Sequence, residues 1–332
     1  MKTSFLPRLV NGQTGDPALF VDLLREKRAL LFDCGTLTSL SASEVMRVSD
    51  VFISHTHIDH FIGFDHLLRL QLGRGKKVRL YGPRGITACV RGKLAGYTWN
   101  LVRRQRLVFE VREFDGHRSA LTQFPCRERF RQGETRLLPP SEVIWQDELV
   151  TVRSAVLDHR TASLAFSVAE RNFINVNPVK LVSCGLRPGP WLNELKRWAR
   201  RGRDPELEIA LEGKPRRAAE LAELLIETRG RKLAYVADAL GCDENSEKIR
   251  HLARDADVLF CEGAFLHADL ARAEETYHLT ARQAGELARQ AGARRLVLFH
   301  FSPKYDGRFA ELEDEAGTVF GSTVENSATR PG

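Results

Sequence analysis

The first third of the chain alternates short apolar runs with turn-forming residues, and this pattern predicts buried strands. ALLFDCG at 29–35, VFISH at 51–55 and VRLYGP at 78–83 each stop at glycine, histidine or proline. In HFIGFDHLLRLQL, at 60–72, the apolar residues instead recur at helical spacing. Asp59 and His60 therefore lie where this helix starts, a position that favours an acidic side chain.

Strand patterns continue in LVFEVREF, VTVRSAVLDH and SLAFSVAE, and from 231 strand and helix patterns alternate up to RLVLFHF. The stretch between them, about 172–217, is punctuated by proline and glycine, so we interpret it as an inserted arm. We therefore expect an α/β fold of two halves packed face to face. It would form one domain over 1–310 that carries the arm, followed by a polar, loosely ordered tail over 311–332.

Composition restricts the class of protein without choosing a function. The apolar fraction of 43% and the charged fraction of 28% are ordinary for a globular protein, and no apolar run has the roughly 18 residues of a membrane span. The six cysteines form no C-x-x-C pair and the N-terminus lacks an apolar signal region. We therefore expect a cytoplasmic protein without membrane association. The net charge of +7 favours an acidic partner such as nucleic acid, although many proteins are mildly basic without one.

Histidine is concentrated in one place. The chain has ten histidines, and three of them stand in HTHIDH at 55–60. Residues two apart in an extended segment face the same side, so His55 and His57 can converge on one ion. The chain then turns into a helix, where Asp59 and His60 can face a second position a few ångströms away. Imidazoles combined with a carboxylate are typical of a hydrolytic rather than a structural zinc site.

Further candidate ligands stand at the ends of later apolar strands. They are His159 after VRSAVLD, Asp238 after KLAYVA and His300 after RLVLF. A single histidine in such a place usually has a structural role, but five imidazoles and two carboxylates in this arrangement favour a centre for two metal ions. Zinc suits these ligands, and manganese or iron could also occupy them.

SHTHIDH, preceded by FDCG at 32–35, resembles the signature of the metallo-β-lactamase superfamily. The resemblance implies a four-layer αββα sandwich with two zinc ions at the shared edge of its sheets. Because metal-bound imidazoles need an outer hydrogen-bond partner, we expect Asp33 to support this loop rather than to bind a metal. The resemblance implies that His55, His57 and His159 bind the first ion. It implies that Asp59, His60 and His300 bind the second ion, and that Asp238 bridges the two.

Within that superfamily the chain is most similar to ribonuclease Z, the transfer-RNA 3′-processing endonuclease. The similar segments are LDHRTASLAF, NPVKLVSCGLRPGPWLNELK, FCEGAF, YHLTARQAGELA and HFSPKY. The resemblance implies hydrolysis by a metal-activated water that Asp59 orients or deprotonates. It implies that His278, held by Glu262, protonates the leaving oxygen, and that Lys304 contacts phosphate. The alternatives are a locally hydrogen-bonded buried acid for Glu262 and a neighbour of a helix cap for His278.

Two basic segments are candidates for RNA contact. KRWARRGR, at 196–203 in the arm, has five basic residues around one tryptophan. Because basic side chains neutralise phosphates and tryptophan stacks on bases, we favour RNA contact over a solvated amphipathic helix whose tryptophan packs inward. LVRRQRL, at 101–107, is a weaker patch that we interpret as the solvated face of a strand. The candidate contacts in the arm are Lys196, Arg197, Trp198, Arg200 and Arg201.

The leading hypothesis is a zinc phosphodiesterase that removes 3′ trailers from transfer-RNA precursors, with such a precursor or another RNA as its partner. The first alternative is a hydrolase of the same fold that acts on a small phosphodiester or thioester, which would not need a basic arm. The second is an RNA-binding protein without catalysis, which would not need a complete set of metal ligands. A homodimer is expected from the resemblance alone.

Overall fold

The fold comes from a computed structural model of the 332-residue chain. The contacts divide the chain into two compact units, which we call the main unit and the arm unit. The main unit comprises 1–147, 151–169 and 232–332, and the arm unit comprises 148–150 and 170–231. The residues that the structure describes are 5–24, 26–139, 141–211, 213–321 and 324.

The described chain has a run of strands from 108 to 176, and strands are interspersed with helices before and after this run. The strands are β1 (Phe5–Leu9), β2 (Leu19–Leu23), β3 (Arg28–Phe32), β4 (Val48–Phe52), β5 (Lys77–Pro83), β6 (Val108–Phe114), β7 (Ser119–Pro125), β8 (Thr135–Leu138), β9 (Val143–Gln146), β10 (Val150–Asp158), β11 (Ala162–Glu170), β12 (Phe173–Val176), β13 (Glu208–Leu211), β14 (Lys214–Arg217), β15 (Leu225–Thr228), β16 (Lys232–Val236), β17 (Val258–Glu262) and β18 (Leu296–Phe299). The helices are α1 (Ala42–Arg47), α2 (Ile58–Phe61), α3 (Phe64–Gln71), α4 (Ile86–Ala95), α5 (Pro178–Ser183), α6 (Trp191–Arg200), α7 (Asp243–Ala253), α8 (Leu270–Thr276), α9 (Ala281–Gln290) and α10 (Phe309–Phe320).

Two sheets face each other in the main unit. The first runs in chain order from β1 to β8, and β3 to β6 are parallel. The second has the order β18-β17-β16-β11-β10-β9. Phe166 of the second sheet lies 5.7 Å from both Phe32 and Phe52 of the first, measured between ring centroids. The opposite face of the first sheet packs on α1, α3 and α4, and that of the second packs on α7, α9 and α10. The predicted αββα sandwich is therefore confirmed.

Two local predictions differ from the structure. Residues 101–107 form a turn and loop before β6 rather than a strand, since the Gln105 amide donates to the Val102 carbonyl. The expected loosely ordered tail begins with a helix instead, because Leu312, Ala316 and Phe320 recur every four residues and are buried against α9 and its neighbours. Most of the segment after 321 lies outside the described residues.

The arm unit has its own small apolar core. Its two-stranded sheets pair β12 with β15 and β13 with β14. The apolar face of α6 packs on these strands through Trp191, Leu195 and Trp198. The unit contains the whole of the expected arm, 172–217, and extends beyond it because β15 completes the pair with β12. Across the described residues of both units, none of the helices has the length and apolar character needed to span a bilayer.

Candidate metal centre

The loop after β4 carries the first four candidate ligands. His55 stands three residues beyond the strand, and His57 is the extended residue at which α2 begins. Asp59 and His60 lie on the single turn of α2. The loop after β3 fixes this turn, because the Cys34 amide donates to the His60 carbonyl at 2.9 Å. Backbone hydrogen bonds thus set the direction of these side chains.

The remaining candidates lie at strand ends of the second sheet. His159 directly follows β10, Asp238 follows β16 by two residues, and His300 directly follows β18. Glu262 is the last residue of β17. Because β16, β17 and β18 are parallel, the last three side chains lie at one edge of the sheet. This is the edge that approaches the loop after β4, since His60 Nε2 lies 3.4 Å from Asp238 Oδ2.

Three overlapping groups of side chains could hold metal ions. Within each group, one potential ligand atom per residue lies within 4.8 Å of all the others. Asp238 is shared by the group that contains His55 and the group that contains Glu262. His300 is shared by the group that contains Glu262 and the group that contains Asp59. All seven ligands expected from the sequence are therefore brought together. The groups are His55, His57, His159 and Asp238; Asp59, His60 and His300; and Asp238, Glu262, His278 and His300.

The donor atoms of these groups fit a metal ion. Among the described residues, His55 Nε2, His60 Nε2, His300 Nδ1 and Asp238 Oδ1 are buried without a hydrogen-bond partner. His300 Nδ1 and Asp238 Oδ1 are 3.0 Å apart but are not aligned for a hydrogen bond. Buried polar atoms without partners are costly, and cations bound by these imidazoles and the carboxylate would satisfy them. The residues present therefore suit a metal centre.

Burial and neighbouring charges shift the pKa values of these side chains in different directions. Burial, assisted by the neighbouring His60, lowers the pKa of His55 to about 2, so this imidazole is neutral and able to bind a metal. Burial acts in the same direction on His60, but Asp238 and Asp33 outweigh it and raise the pKa of His60 well above its usual value. Burial favours the neutral form of Asp238, yet His300 and His60 hold its pKa well below the usual range. A bound cation would displace the proton from any imidazole that is charged in its absence.

Outer hydrogen bonds orient two of the imidazoles. His60 Nδ1 donates to Asp33 Oδ2 at 2.9 Å, as expected for Asp33 from the sequence. The same oxygen accepts from the Tyr235 hydroxyl at 2.8 Å. His159 Nδ1 donates to the Tyr277 carbonyl at 2.6 Å, and Tyr277 has a left-handed backbone with φ of 60°. The roles of Tyr235 and Tyr277 were missed in the sequence, because only the fold brings them to these histidines.

His278, which is half-buried, pairs with the buried Glu262 within the third group. His278 Nδ1 donates to Glu262 Oε2 at 2.8 Å, and Glu262 Oε1 accepts from the Ala239 amide at 2.6 Å. Burial favours the neutral form of Glu262, but His278 outweighs it and lowers the pKa of this carboxyl. Because Nδ1 is engaged by a carboxylate, Nε2 of His278 is the ring atom left to act on another group. The arrangement suits a positioned proton donor.

The expected substrate contacts lie outside these groups. The Lys304 ammonium pairs with Asp269 at 2.6 Å. In the arm unit, Arg197, Arg200 and Arg201 are exposed and Lys196 is half-buried, whereas Trp198 is only 5% exposed. The Trp198 indole donates to the Asp204 carbonyl, so the ring packs inward and the expectation that it stacks on a base is corrected. The structure agrees with the alternative interpretation of this segment, an amphipathic helix whose tryptophan packs inward, because the Trp198 ring is part of the small core of the arm unit.

Comparison with known proteins places the chain in a family. Residues 195–301 match the family model described as the beta-lactamase superfamily domain. The ribonuclease Z of Deinococcus radiodurans is 34% identical over 327 residues, which cover 95% of this chain and 96% of that protein. The chain belongs to the ribonuclease Z family. Another member of that family, from Gemmatimonas aurantiaca, is 32% identical over 92% of this chain and 86% of its own length.

Solved structures show the same fold at lower identity. The short form of human tRNase Z matches with a TM-score of 0.53 and 20% identity, over 91% of this chain and 94% of that one. The metallo-β-lactamase fold protein YhfI from Bacillus subtilis matches with a TM-score of 0.56 and 15% identity, over 98% and 96% of the two chains. The resemblance to the ribonuclease Z family and the predicted fold class are both confirmed.

Proposed function

We propose that this chain is a metal-dependent endonuclease that removes 3′ trailers from transfer-RNA precursors. The observation that carries the proposal is the convergence of the HTHIDH segment with three strand ends of the second sheet. Such a site serves hydrolysis, and the relatives that share nearly the whole chain are named ribonuclease Z. A hydrolase with a small phosphodiester or thioester substrate remains the alternative that the experiment below separates.

Two zinc ions are the cofactors we propose, with manganese or iron as alternatives. His55, His57 and His159 would hold one ion, Asp59, His60 and His300 the other, and Asp238 would contact both. Supporting this division, Asp238 Oδ2 lies 3.7 Å from His55 Nε2 and 3.4 Å from His60 Nε2. Bound ions of this kind lower the pKa of water, so that hydroxide is available near neutral pH.

The side chains of the chain itself would position water and move protons. Asp59 Oδ2 lies 3.2 Å from His300 Nε2. Burial favours the neutral form of Asp59, but the neighbouring His300 and His60 outweigh it and lower the pKa of this carboxyl. The carboxylate is therefore charged and can orient an attacking water. His278, held through Nδ1 by Glu262, would donate its proton to the leaving oxygen. Arginines on the surface of the arm unit, with Lys196 and Lys304, would contact the phosphates of the RNA.

One incubation separates the candidate substrates. Purified protein is mixed with a precursor transfer RNA that carries a 3′ trailer and, separately, with bis(p-nitrophenyl) phosphate. We expect one cut at the trailer boundary and slow hydrolysis of the small ester. Hydrolysis of the small ester alone would assign the chain to the alternative. No cleavage of either, with less than about one metal ion per chain, would remove the enzyme proposal altogether.

Two further proposals concern assembly and location. We propose a cytoplasmic protein, which its six free cysteines support, because thiols persist in a reducing compartment. We also propose a homodimer. Sedimentation of the purified protein gives its mass directly, and a mass of one chain, 37.5 kDa, at micromolar concentration would contradict the dimer.

A further inference from the structure

Three basic segments meet at one end of the first sheet. They are the loop before β5 (73–77), the loop before β6 (96–107) and the segment after β7 (126–131). The Val108 amide donates to the Lys76 carbonyl at 3.1 Å, which joins the first two segments. The Cys126 amide donates to the Leu107 carbonyl at 2.9 Å, which joins the second to the third. The segments therefore form one continuous surface of the main unit.

This surface holds more positive charge than the rest of the chain together. The three segments contain nine lysines and arginines and one glutamate, a formal charge of +8, whereas the whole chain has +7. Both lysines are engaged: Lys76 donates to two carbonyls and Lys77 pairs with Glu110. Among the residues that the structure describes, Arg127 pairs only with the neighbouring, exposed Glu128. The exposed arginines whose side chains form neither an ion pair nor a hydrogen bond within the described part of the chain are Arg103, Arg104, Arg106, Arg129 and Arg131.

The backbone beneath these arginines is held firmly. Phe130 is 4% exposed and packs edge-on against Trp99, with ring centroids 4.7 Å apart. This contact ties the third segment to the second. Arg129 and Phe130 both have left-handed backbones, with φ of 59° and 54°, a conformation that non-glycine residues adopt only when their surroundings enforce it. Burial of Phe130 therefore holds Arg129 and Arg131 in solvent, and the arginines are presented on a fixed loop.

The surface lies away from the metal centre. β4, β5 and β6 are parallel, and the candidate ligands follow the carboxyl end of β4, whereas the basic loops precede β5 and β6. Seven residues of β5 separate the two ends, which is about 20 Å of extended chain. A basic surface at that distance does not act on the phosphate that is cleaved.

We propose that this arginine surface binds the phosphate backbone of the RNA substrate at a place remote from cleavage. The inference rests on the proposed function, which supplies a polyanionic substrate. The five arginines of this surface that have no partner among the described residues each carry a planar guanidinium, which can contact two phosphate oxygens at once. Tyr97, 48% exposed in the second segment, offers a ring on which a single-stranded base can stack. The exposed Leu101 is compatible with a lipid surface instead, so anionic vesicles are included in the test.

The test replaces Arg103, Arg104 and Arg106 together by glutamine. Its matched control removes the same charge from exposed helix positions of the second half, by replacing Arg250, Arg272 and Arg289 by glutamine. Binding of mature transfer RNA, which has no trailer to lose, is measured by filter retention between 50 and 300 mM salt. Turnover of bis(p-nitrophenyl) phosphate reports whether each variant is folded and active. Binding to phosphatidylserine vesicles is measured in parallel.

We expect the first variant to bind RNA about tenfold more weakly or worse, with the slope of log affinity against log salt reduced by about 2–3, because three arginines no longer neutralise phosphates. The control should match the wild type, and both variants should hydrolyse the small ester normally. An unchanged salt slope in the first variant, with wild-type cleavage of precursor, would overturn this inference alone. Equal losses in the control, or a loss confined to vesicle binding, would also overturn it. A wild-type protein that neither binds RNA nor cleaves precursor would overturn both this inference and the proposed function.

Discussion

His60 and Asp33 are joined by a fully buried hydrogen bond of 2.9 Å between Nδ1 and Oδ2. The bond fixes the His60 ring so that Nε2 lies 3.4 Å from both Asp59 Oδ2 and Asp238 Oδ2. A residue that binds no metal in our assignment thus determines which atom of His60 faces the centre. The contribution of Asp33 to metal affinity can be measured separately from turnover.

Replacing Asp33 by asparagine keeps the shape but removes the carboxylate that holds His60. We expect the affinity for the metal bound through His60 to fall roughly 10- to 100-fold. Competition with a chromophoric chelator measures this directly. Tyr235→Phe removes one hydrogen bond from a hydroxyl to the Asp33 carboxylate and should cost about 1.5–3 kcal/mol of stability, with a smaller loss of metal affinity than Asp33→Asn. Asp65→Asn, a partly exposed partner of Lys93, is the control. Wild-type metal affinity in Asp33→Asn would contradict the orienting role.

Gly63 allows the turn after α2 to meet the loop after β3. A Cβ atom at this position would lie 1.9 Å from the Gly35 carbonyl oxygen. Gly63→Ala should therefore reduce the free energy of unfolding by about 1–3 kcal/mol. Gly92→Ala is the matched control, because nothing lies within 4 Å of its Cβ position in α4; it should be neutral or stabilise by up to about 1 kcal/mol. Urea unfolding compares the two, and equal midpoints would show that the close approach is not tight.

His278→Gln tests the proposed proton donor. With precursor RNA as substrate, we expect kcat to fall by about 10²–10⁴, because a poor leaving oxygen needs a proton. The loss with bis(p-nitrophenyl) phosphate should be much smaller, since p-nitrophenolate leaves readily without one. Metal content should stay at the wild-type value. Loss of metal together with equal loss on both substrates would mean that His278 acts as a ligand in the third group instead.

Removing the metals should destabilise the chain as well as stop turnover. Ions that bind only the folded state add about 2.7 kcal/mol for each independent site at a free concentration 100-fold above its dissociation constant. We expect dialysis against a chelator to lower the urea midpoint and added zinc to restore it. His57→Ala should abolish turnover and reduce the zinc-dependent gain, whereas His251→Ala, on an exposed position of α7, should change neither. A midpoint independent of zinc would contradict metal binding by the folded chain.

The arm unit makes a separate prediction. Neutralising Lys196, Arg197, Arg200 and Arg201 should weaken RNA binding and reduce its salt dependence, since the slope falls by roughly 0.7–0.9 for each phosphate that is no longer neutralised. Hydrolysis of the small ester should be unaffected. Trp198→Phe serves as a structural control, because Trp198 belongs to the core of the unit and should alter stability more than RNA affinity. If turnover of the small ester fell with the charge changes, the arm would have a structural role.

Much of the fold followed from local patterns, because strand ends were marked by apolar runs that stop abruptly. The sequence predicts the strands that end near 52, 158, 236 and 299, and the positions of the candidate ligands depend only on these strand ends. The apolar Leu101 and Val102 suggest a strand at 101–107, where the structure has a turn and a loop. Leu101 is in fact 86% exposed, and sequence alone cannot show that an apolar residue is left in solvent.

Apart from that of Asp33 with His60, the contacts that orient the site could not be predicted. Tyr277 acts through its carbonyl, so its side chain gives no signal, and the left-handed backbone that aims this carbonyl at His159 is visible only in three dimensions. Tyr235 reads as an ordinary strand residue 202 positions away from Asp33. The inward packing of Trp198 depends on strands that close the core of the arm unit beneath α6. Pairings across such distances in the chain require the fold itself.

The candidate ligands come from both sheets, and this has a consequence for how the protein matures. The ligand stretch after β4 and the strand ends at His159, Asp238 and His300 are separated by about 100, 180 and 240 residues. In an unfolded chain, closing loops of that length to bring the ligands to one ion is slow and costs conformational entropy. Metal capture therefore follows the docking of the two sheets. The ions would join the two halves of the sandwich after these have docked, and the second site, which needs His300, could not form in a nascent chain until β18 has emerged.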